Sequence, residues 1–573
     1  VSLPTSYSSP SPLRRLMLAS MARLRYPGSE AAQLLLAPQE LRTADPSFAT
    51  EIYNGHFGLA GTHAMLGSQS PFDIRPPSNA WAKALYGFDW LRHLRAAESE
   101  LAHEQAKALF GDWVRLSRSA TTNVAWRPDV VGRRVISWLA NSVVVLDTQD
   151  ARSYQTFLRT LTAELRYLSA SYSNAPDGVP RLVAIMALVY AGLCIADQQA
   201  VVKRYVRPLS RELDRQILPD GGHISRNPMA LVELLLDLLP LRQCFVARDR
   251  AAPEALTRAI DRAITCLRFF RNRVGELARF NGTGATPTDA LASVFAYDDL
   301  EGTPLINAPH SAYGRLEREQ TRIVCDLGAA PALSLSSDAC AGCLSFEMDS
   351  GSIPVIVNCG SPSADHPEWR EFARSTAAHS TLTLDDLSSA EFIGYGNAVS
   401  LEAEAELSGP ANAKGEVIDT GDAVEMHGAH DGYRQHFGLR HSRSMVLAPT
   451  GLLVSGKDVL SPVKGDIGTD PAPVYAIRFH LHPDIRAGLE DAEGSVKLFL
   501  PNGEIWRLSS NAQMLDIAES IYFGDERGPR QSRQIVLTGE TRSQGDTRIV
   551  WTLERIGEGP EEAVSTDRKP RTR

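Results

Sequence analysis

LPDGGHISRNPMALVELLLDLLPLRQC, residues 218–244, puts a tight turn (Asp220, Gly221, Gly222), a polar cluster (His223, Ser225, Arg226, Asn227) and the start of an almost wholly apolar helix into one span. A helix apolar on nearly every side has to be buried, yet this one begins with an imidazole, a guanidinium and an amide. That combination marks the floor of a cleft. The unpaired N–H groups of the first turn and the positive end of the helix dipole favour an anion there, and Arg226 adds a full charge. Asn227 followed by Pro228 also reads as an N-cap with proline at the first helical position, so capping alone accounts for it as well. His223 and Arg226 have no such duty.

Working outward, the spacing of apolar residues predicts helices over 79–96, 98–117, 128–147, 151–173, 179–197, 198–217, 228–247 and 252–273, with short turn-rich separators such as NAPDG at 174–178. Amphipathic helices on short links imply antiparallel neighbours in a bundle, a solenoid or a closed ring of helical hairpins. No fixed period recurs, which disfavours the common repeat arrays. Before them, residues 53–81 are rich in glycine and aromatics and read as an irregular loop of the kind that covers a site. Trp126, Arg127, Arg133, Arg134 and Trp138 bunch around one helix start. Arginine beside tryptophan suits a sugar ring and its carboxylate, and it suits plain stacking and pairing equally.

Beyond about residue 300 the helical spacing stops. TRIVCDLG, LSFEMDSGSIPVIVNCG, RSMVLAPTGLLVSGKDVL, YAIRFHLHPDI and VKLFLPNGEIWRLSS are strand and turn, with Pro501, Asn502 and Gly503 forming a hairpin turn between two alternating runs. Strands at this density without helices between them mean an antiparallel sandwich. The chain therefore divides into an extension (1–50) with a basic amphipathic helix, a helical domain (51–300), a linker (301–320), a sandwich (321–556) and a solvated tail (557–573).

A chain of 573 residues is too long for one core, and its 43% hydrophobic and 22% charged residues are ordinary for a globular protein. The formal charge of -9 argues against general binding to nucleic acid, while leaving room for a local cationic cleft. Seven scattered cysteines do not form a disulfide framework, and only Cys340 and Cys343 are close. The longest uncharged apolar run, 182–196, falls short of the roughly 20 residues a bilayer demands, so no transmembrane segment is expected. LRRLMLASMARLR at 13–25 has basic residues ahead of an apolar patch, as an export signal does, but Arg23 and Arg25 interrupt it.

Eight histidines lie in the strand-rich half: His366, His379, His427, His430, His436, His441, His480 and His482. Singly, such residues are usually structural. As a group, with His480 and His482 on one strand face, they raise a divalent metal site, although no carboxylate ligands accompany them.

The run of motifs SPFDIRPPSNAWAKALYGFDWLRHL (70–94), WRPDVVGRRVISWL (126–139), LPDGGHISRNP (218–228), GCLSFEMDSG (342–351), RSTAAHSTLTLDD (374–386) and RFHLHP (478–483) resembles the heparinase II/III-like family over most of the chain, from Tyr53 to Glu554. The resemblance implies an (α/α) toroid joined to an antiparallel β-sandwich, with the site between them, and a polysaccharide lyase acting on a uronate-containing glycan such as heparan sulfate or alginate. It also implies work in the cell envelope or periplasm, whereas the lack of a convincing export signal points to the cytoplasm.

β-Elimination removes the C5 proton beside a carboxylate, so the carboxylate charge has to be offset, a base has to take the proton and an acid has to protonate the departing O4. Asn227 and His223, with Arg226, are the candidates for gripping the carboxylate. His379 and Tyr433 are the candidates for base and acid. Arg134, Trp126, Arg374 and His430 are candidates for holding the substrate, an acidic polysaccharide or oligosaccharide. Two departures stand out. Cys340 replaces a histidine that relatives show, and Gly342 stands where some carry an aspartate metal ligand, so no cofactor is expected. The toroid tyrosine of some relatives has no evident counterpart: Tyr297 is the nearest candidate, and Asn281 occupies roughly that region. A glycoside hydrolase, with Asp220, Asp289 and Asp431 on offer as carboxylates, and a glycan-binding or envelope-assembly protein without turnover are the alternatives.

Overall fold

The computed structural model describes residues 26–67, 69–116, 124–146, 150–297, 305–363, 366–394, 405–463, 472–490 and 494–557. The amphipathic stretch 13–24 and nearly all of the tail lie outside them.

The helical half follows the predicted order, and several helices start at a cap or a proline that suits the first turn. Ser78 accepts the N–H of Trp81, Asp150 that of Arg152 and Asn227 that of Met229, while Pro128 and Pro228 open their helices. Two predicted helices are broken. The span 79–96 divides into Asn79–Gly87 and Leu91–Ala96, because Phe88 takes a left-handed conformation (φ 60°) that buries its ring against Trp90 and Trp138. The span 128–147 stops at Ala140 and restarts at Ser142, with Asn141 buried between. Helix Val179–Cys194, the longest apolar run, is buried through its last thirteen residues against Pro128–Ala140, Gln199–Gln216 and Pro228–Ala247. A Cβ on Gly132 would come within 2.9 Å of Ala184 Cα, so the glycine is what lets two of these backbones touch. No described helix is long and apolar enough to cross a membrane. The irregular loop expected over 53–81 contains a small hairpin, His56–Leu59 paired with Thr62–Met65, whose Phe57 is wholly buried among Phe48, Trp81 and Trp90.

Among the described residues, the C-terminal half is built on two large antiparallel sheets, with a small pair, Glu391–Ile393 and Glu406–Ser408, beside them. One runs Ala413–Asp419, Val424–His430, Leu439–Leu447, Leu453–Pro462, Thr547–Gly557, Ile505–Ser510, Ser495–Phe499 and Arg486–Glu490. The other runs from Met514–Tyr522 through Arg530–Glu540, Val474–Leu481, Ile353–Val357, Phe346–Ser350, Thr321–Asp326 and Tyr313–Arg318 to Asn307–Ala308. Their inner faces meet at Phe346, Phe479 and Trp551, with Phe346 stacked on Trp551 at 5.8 Å. Residues 301–320, expected as a linker, include Tyr313–Arg318, which pairs in register with Thr321–Asp326 and so belongs to the sandwich.

Burial of several histidines carries a stability consequence. Desolvation pushes His223 down to about 4 and His480 down to about 3. Both take protons more readily unfolded, where imidazole titrates near 6.5, so the stability they contribute is complete above that pH and is lost as pH falls toward 4. Each should cost about 1.4 kcal/mol per pH unit across that window. Denaturant melts at pH 7 and pH 5 should show the drop, and equal midpoints would contradict it.

Candidate active site between toroid and sandwich

The turn opening helix Pro228–Ala247 is stapled to the sandwich. Asp220 Oδ2 accepts the N–H groups of His310 and Ser311 at 2.7 and 2.8 Å. Arg226 holds φ at 62° and reaches across: Nε donates to Ser311 O (2.9 Å), Nη1 to Ala329 O (2.6 Å), and Nη2 to Ala312 O (3.1 Å) and to the carboxylate of Asp326. Its guanidinium lies over the ring of Tyr313 at 4.8 Å. Arg226 is therefore a bolt between the domains, and with every arm engaged it does not grip a substrate. His223 is buried as well: Nδ1 accepts from Ser225 N at 3.1 Å, which leaves Nε2–H to donate to Gln216 Oε1 at 3.1 Å. The crevice around His223, Arg226 and Asn227 is too small for a sugar ring, and neither His379 nor Tyr433 lines it.

Asn227 differs. Its Oδ1 accepts from Met229 N (2.9 Å) and from Thr283 Oγ1 (3.2 Å), so it caps the helix as expected. Its half-buried side chain keeps Nδ2 without a partner among the described residues. A Cβ on Gly282 would sit 2.8 Å from that nitrogen and 2.8 Å from Asp338 Cβ, which places Asn227 at one end of the segment 338–342. His379 lies at the other end, where a Cβ on Gly342 would meet its ring at 2.7 Å. The segment spans at most about 14 Å of chain. His379 Nδ1 bonds the carbonyl of Ser375 at 2.8 Å, so Nδ1 carries the hydrogen and Nε2 holds the lone pair, with no partner among the described residues. Burial is the main cause that lowers the pKa of this imidazole, so it is neutral near pH 7.

The remaining candidates are structural. Tyr433 is 1% exposed, donates to Leu382 O at 2.6 Å, and is pushed well above its ordinary pKa by burial, so no acid–base role is open to it. Tyr433→Phe should therefore lower stability by about 1 kcal/mol and leave substrate turnover and binding unchanged, checked by melting and by assay of the same preparation. His430 takes Gly432 N–H on Nδ1 and passes Nε2–H to His441, which in turn donates to Asp458; all three are buried. Arg134, 0% exposed, pairs with Glu164 at 2.8 Å and lies over Trp113 at 4.4 Å. Trp126 packs edge-on to Tyr167 at 5.1 Å. Arg374 donates to the carbonyls of Ser336, Ala339 and Ala405, each at 2.8 Å, so it shapes the backbone that leads into segment 338–342.

Asn281 is wired into the wall of the site: Nδ2 donates to Tyr313 OH (2.7 Å) and Asp326 Oδ2 (3.0 Å), and Oδ1 accepts from Cys340 N (3.2 Å). Tyr297 bonds Gln39 at an exposed position, apart from this network. Asp220 is engaged at the domain junction and Asp431 bonds Asn412, so the carboxylate pair of a hydrolase is not assembled by them. Among the described residues no group of three or more His, Cys, Asp and Glu is arranged to hold a metal. His480 bonds Ser520 and the Ala377 carbonyl, and His482 packs on Tyr522, so the FHLH pair is structural. Sequence reading missed Thr283, whose hydroxyl donates to Asn227 Oδ1 at 3.2 Å and so fixes the orientation of that amide.

The fold recurs in known proteins. The heparinase II/III-like C-terminal family model matches residues 301–552. FtsZ-localized protein C of Caulobacter vibrioides is 33% identical over 525 residues, covering 90% of this chain and 89% of that one. Among solved structures, heparinase III superposes with a TM-score of 0.72 at 13% identity, covering 95% of this chain and 89% of its own. A heparan sulfate lyase HepC mutant from Pedobacter heparinus gives 0.62 at 15%, covering 96% and 89%. With the ring of helices, the sandwich and the matched C-terminal half in agreement, the chain belongs to the heparinase II/III-like family, on the (α/α) toroid and β-sandwich scaffold of polysaccharide lyases.

Proposed function

We propose that the protein cleaves a uronate-containing polysaccharide by β-elimination where the toroid meets the sandwich. The observation that carries this is the pairing of two unengaged polar atoms at the ends of segment 338–342: a hydrogen-bond donor, Asn227 Nδ2, and a neutral base, His379 Nε2. Asn227 offsets the carboxylate charge as it spreads toward C5, and His379 takes the C5 proton. The pair of electrons becomes the C4–C5 double bond and O4 departs. Incubating the protein with heparan sulfate, alginate and other uronate polymers should raise near-ultraviolet absorbance as the unsaturated uronate accumulates. New reducing ends without that absorbance would replace this reading with hydrolysis.

A second reading has its own support. Asn281 lies where some relatives use a tyrosine and is locked by Tyr313, Asp326 and Cys340, which favours a groove that binds an anionic glycan without breaking it. The relative named for localisation with FtsZ fits a chain that is recruited to FtsZ and uses its groove for recognition. Calorimetric binding of a uronate polymer with no change in absorbance would select this second reading.

A further inference from the structure

We infer that Arg443 is a positioning residue that sets where His379 stands against segment 338–342, an assignment that rests on reading His379 as the base of the elimination. Arg443 is 1% exposed and belongs to strand Leu439–Leu447. Both pieces of the site hang from strands of the opposite sheet: segment 338–342 runs into Phe346–Ser350, and His379 into Leu382–Leu384. Arg443 crosses between the sheets. Its Nε and Nη2 donate to the two carboxylate oxygens of Asp458, its cross-strand neighbour, at 2.8 and 3.2 Å. The third nitrogen, Nη1, donates to the carbonyl of Leu344 and to the carbonyl of Ser380, each at 2.9 Å. Leu344 lies two residues beyond Gly342, and Ser380 directly follows His379. One nitrogen therefore ties the backbone leaving segment 338–342 to the backbone leaving the imidazole.

The clamp has a fixed direction and a strained target. Asp458 also accepts His441 Nε2–H at 2.7 Å and Trp551 Nε1–H at 2.9 Å, so its carboxylate cannot turn, and the planar guanidinium paired with it aims Nη1 one way. Leu344 takes a left-handed φ of 63°, which a leucine keeps only where its surroundings impose it. Ser380 is held at its other polar atoms by Asn358 Oδ1 (2.9 Å) and the Val357 carbonyl (2.8 Å), so Arg443 completes the grip on the residue that follows the base. Gly342 packs so closely on the His379 ring that a Cβ there would stand 2.7 Å away. A shift of about 1 Å in either carbonyl would alter that gap, and misplacement on this scale costs about 10²-fold in rate.

Two full-chain variants test this. Arg443→Lys keeps a cation for Asp458 but lacks the fork that reaches both carbonyls as well. Arg443→Met combined with Asp458→Asn removes both charges and strands neither, which keeps the test open should the lysine variant not fold. In histidine nitrogen spectra, wild-type His379 should show a single tautomer protonated at Nδ1, its signals identified by their loss in His379→Ala. Both variants should shift those signals toward exchange between tautomers, while His223, bonded to Gln216 in the toroid, keeps its own. On a polymer that wild type cleaves, kcat should fall by about 10²-fold with KM within about 3-fold of wild type. A merely structural role would lower the melting midpoint and leave the folded molecules with wild-type His379 signals and wild-type kcat. Unchanged His379 signals in a folded variant, or shifted signals with wild-type kcat, would overturn the assignment and leave the lyase reading standing. Wild type that cleaves no polymer would remove the lyase reading, and the His379 signals would still decide whether Arg443 places the ring.

Discussion

Replacing His379 by alanine is expected to lower the rate of unsaturated-uronate formation by about 10² to 10⁴-fold, the usual contribution of a positioned proton-transfer group. The reasoning rests on a tautomer. The Ser375 carbonyl accepts Nδ1–H, so the only basic nitrogen is Nε2, at the end of segment 338–342 against which Gly342 packs. Because burial lowers the imidazole's pKa, the base stays unprotonated at neutral pH and the acid limb of the rate profile should lie below pH 6.5, the ordinary value for histidine. Activity is therefore full above that point and declines as the ring protonates. Absorbance assays of wild type and His379→Ala from pH 4 to 8 check both statements. A variant that keeps more than a tenth of wild-type activity would remove His379 from the chemistry.

Asp326→Ala should be among the most damaging single substitutions, at about 3 to 5 kcal/mol, the cost of stranding a buried charge. Asp326 is 2% exposed and meets the guanidinium of Arg226, while its carboxylate also accepts from Asn281 Nδ2 and from Gly328 N. Without it, Arg226 keeps three backbone carbonyls but no counter-charge, inside the junction of the two domains. Chemical denaturation should show a large loss and a separation of toroid and sandwich transitions. A loss under about 1 kcal/mol, typical of a surface pair, would show that the junction does not depend on this contact.

The order of helices and strands was legible because apolar periodicity and capping residues act locally. Phe88 and Asn141 broke two helices for reasons found only in packing: one ring needed a left-handed residue to reach Trp90 and Trp138, and the other position is enclosed on all sides. The site was legible in part. Asn227 reads as a cap and as a candidate donor; the structure bears out the cap and leaves Nδ2 without a partner among the described residues. Arg226 and Tyr433 looked reactive in the sequence, yet their partners Asp326 and Leu382 lie far along the chain, and a polar side chain cannot announce which distant group will engage it; His223 and His430 are held by nearer residues, Gln216 and His441, that only the fold turns toward them. Thr283 escaped notice for the same reason, since it lies 56 residues along the chain from the Asn227 it holds.

An amide held by its oxygen can offer a visitor only hydrogens. Met229 N–H and the Thr283 hydroxyl fix Asn227 in that sense. A sugar acid meets it lone pair to hydrogen. The corresponding primary alcohol or amide also offers a lone pair, but an uncharged one, so a neutral glycan of the same shape should be held less tightly.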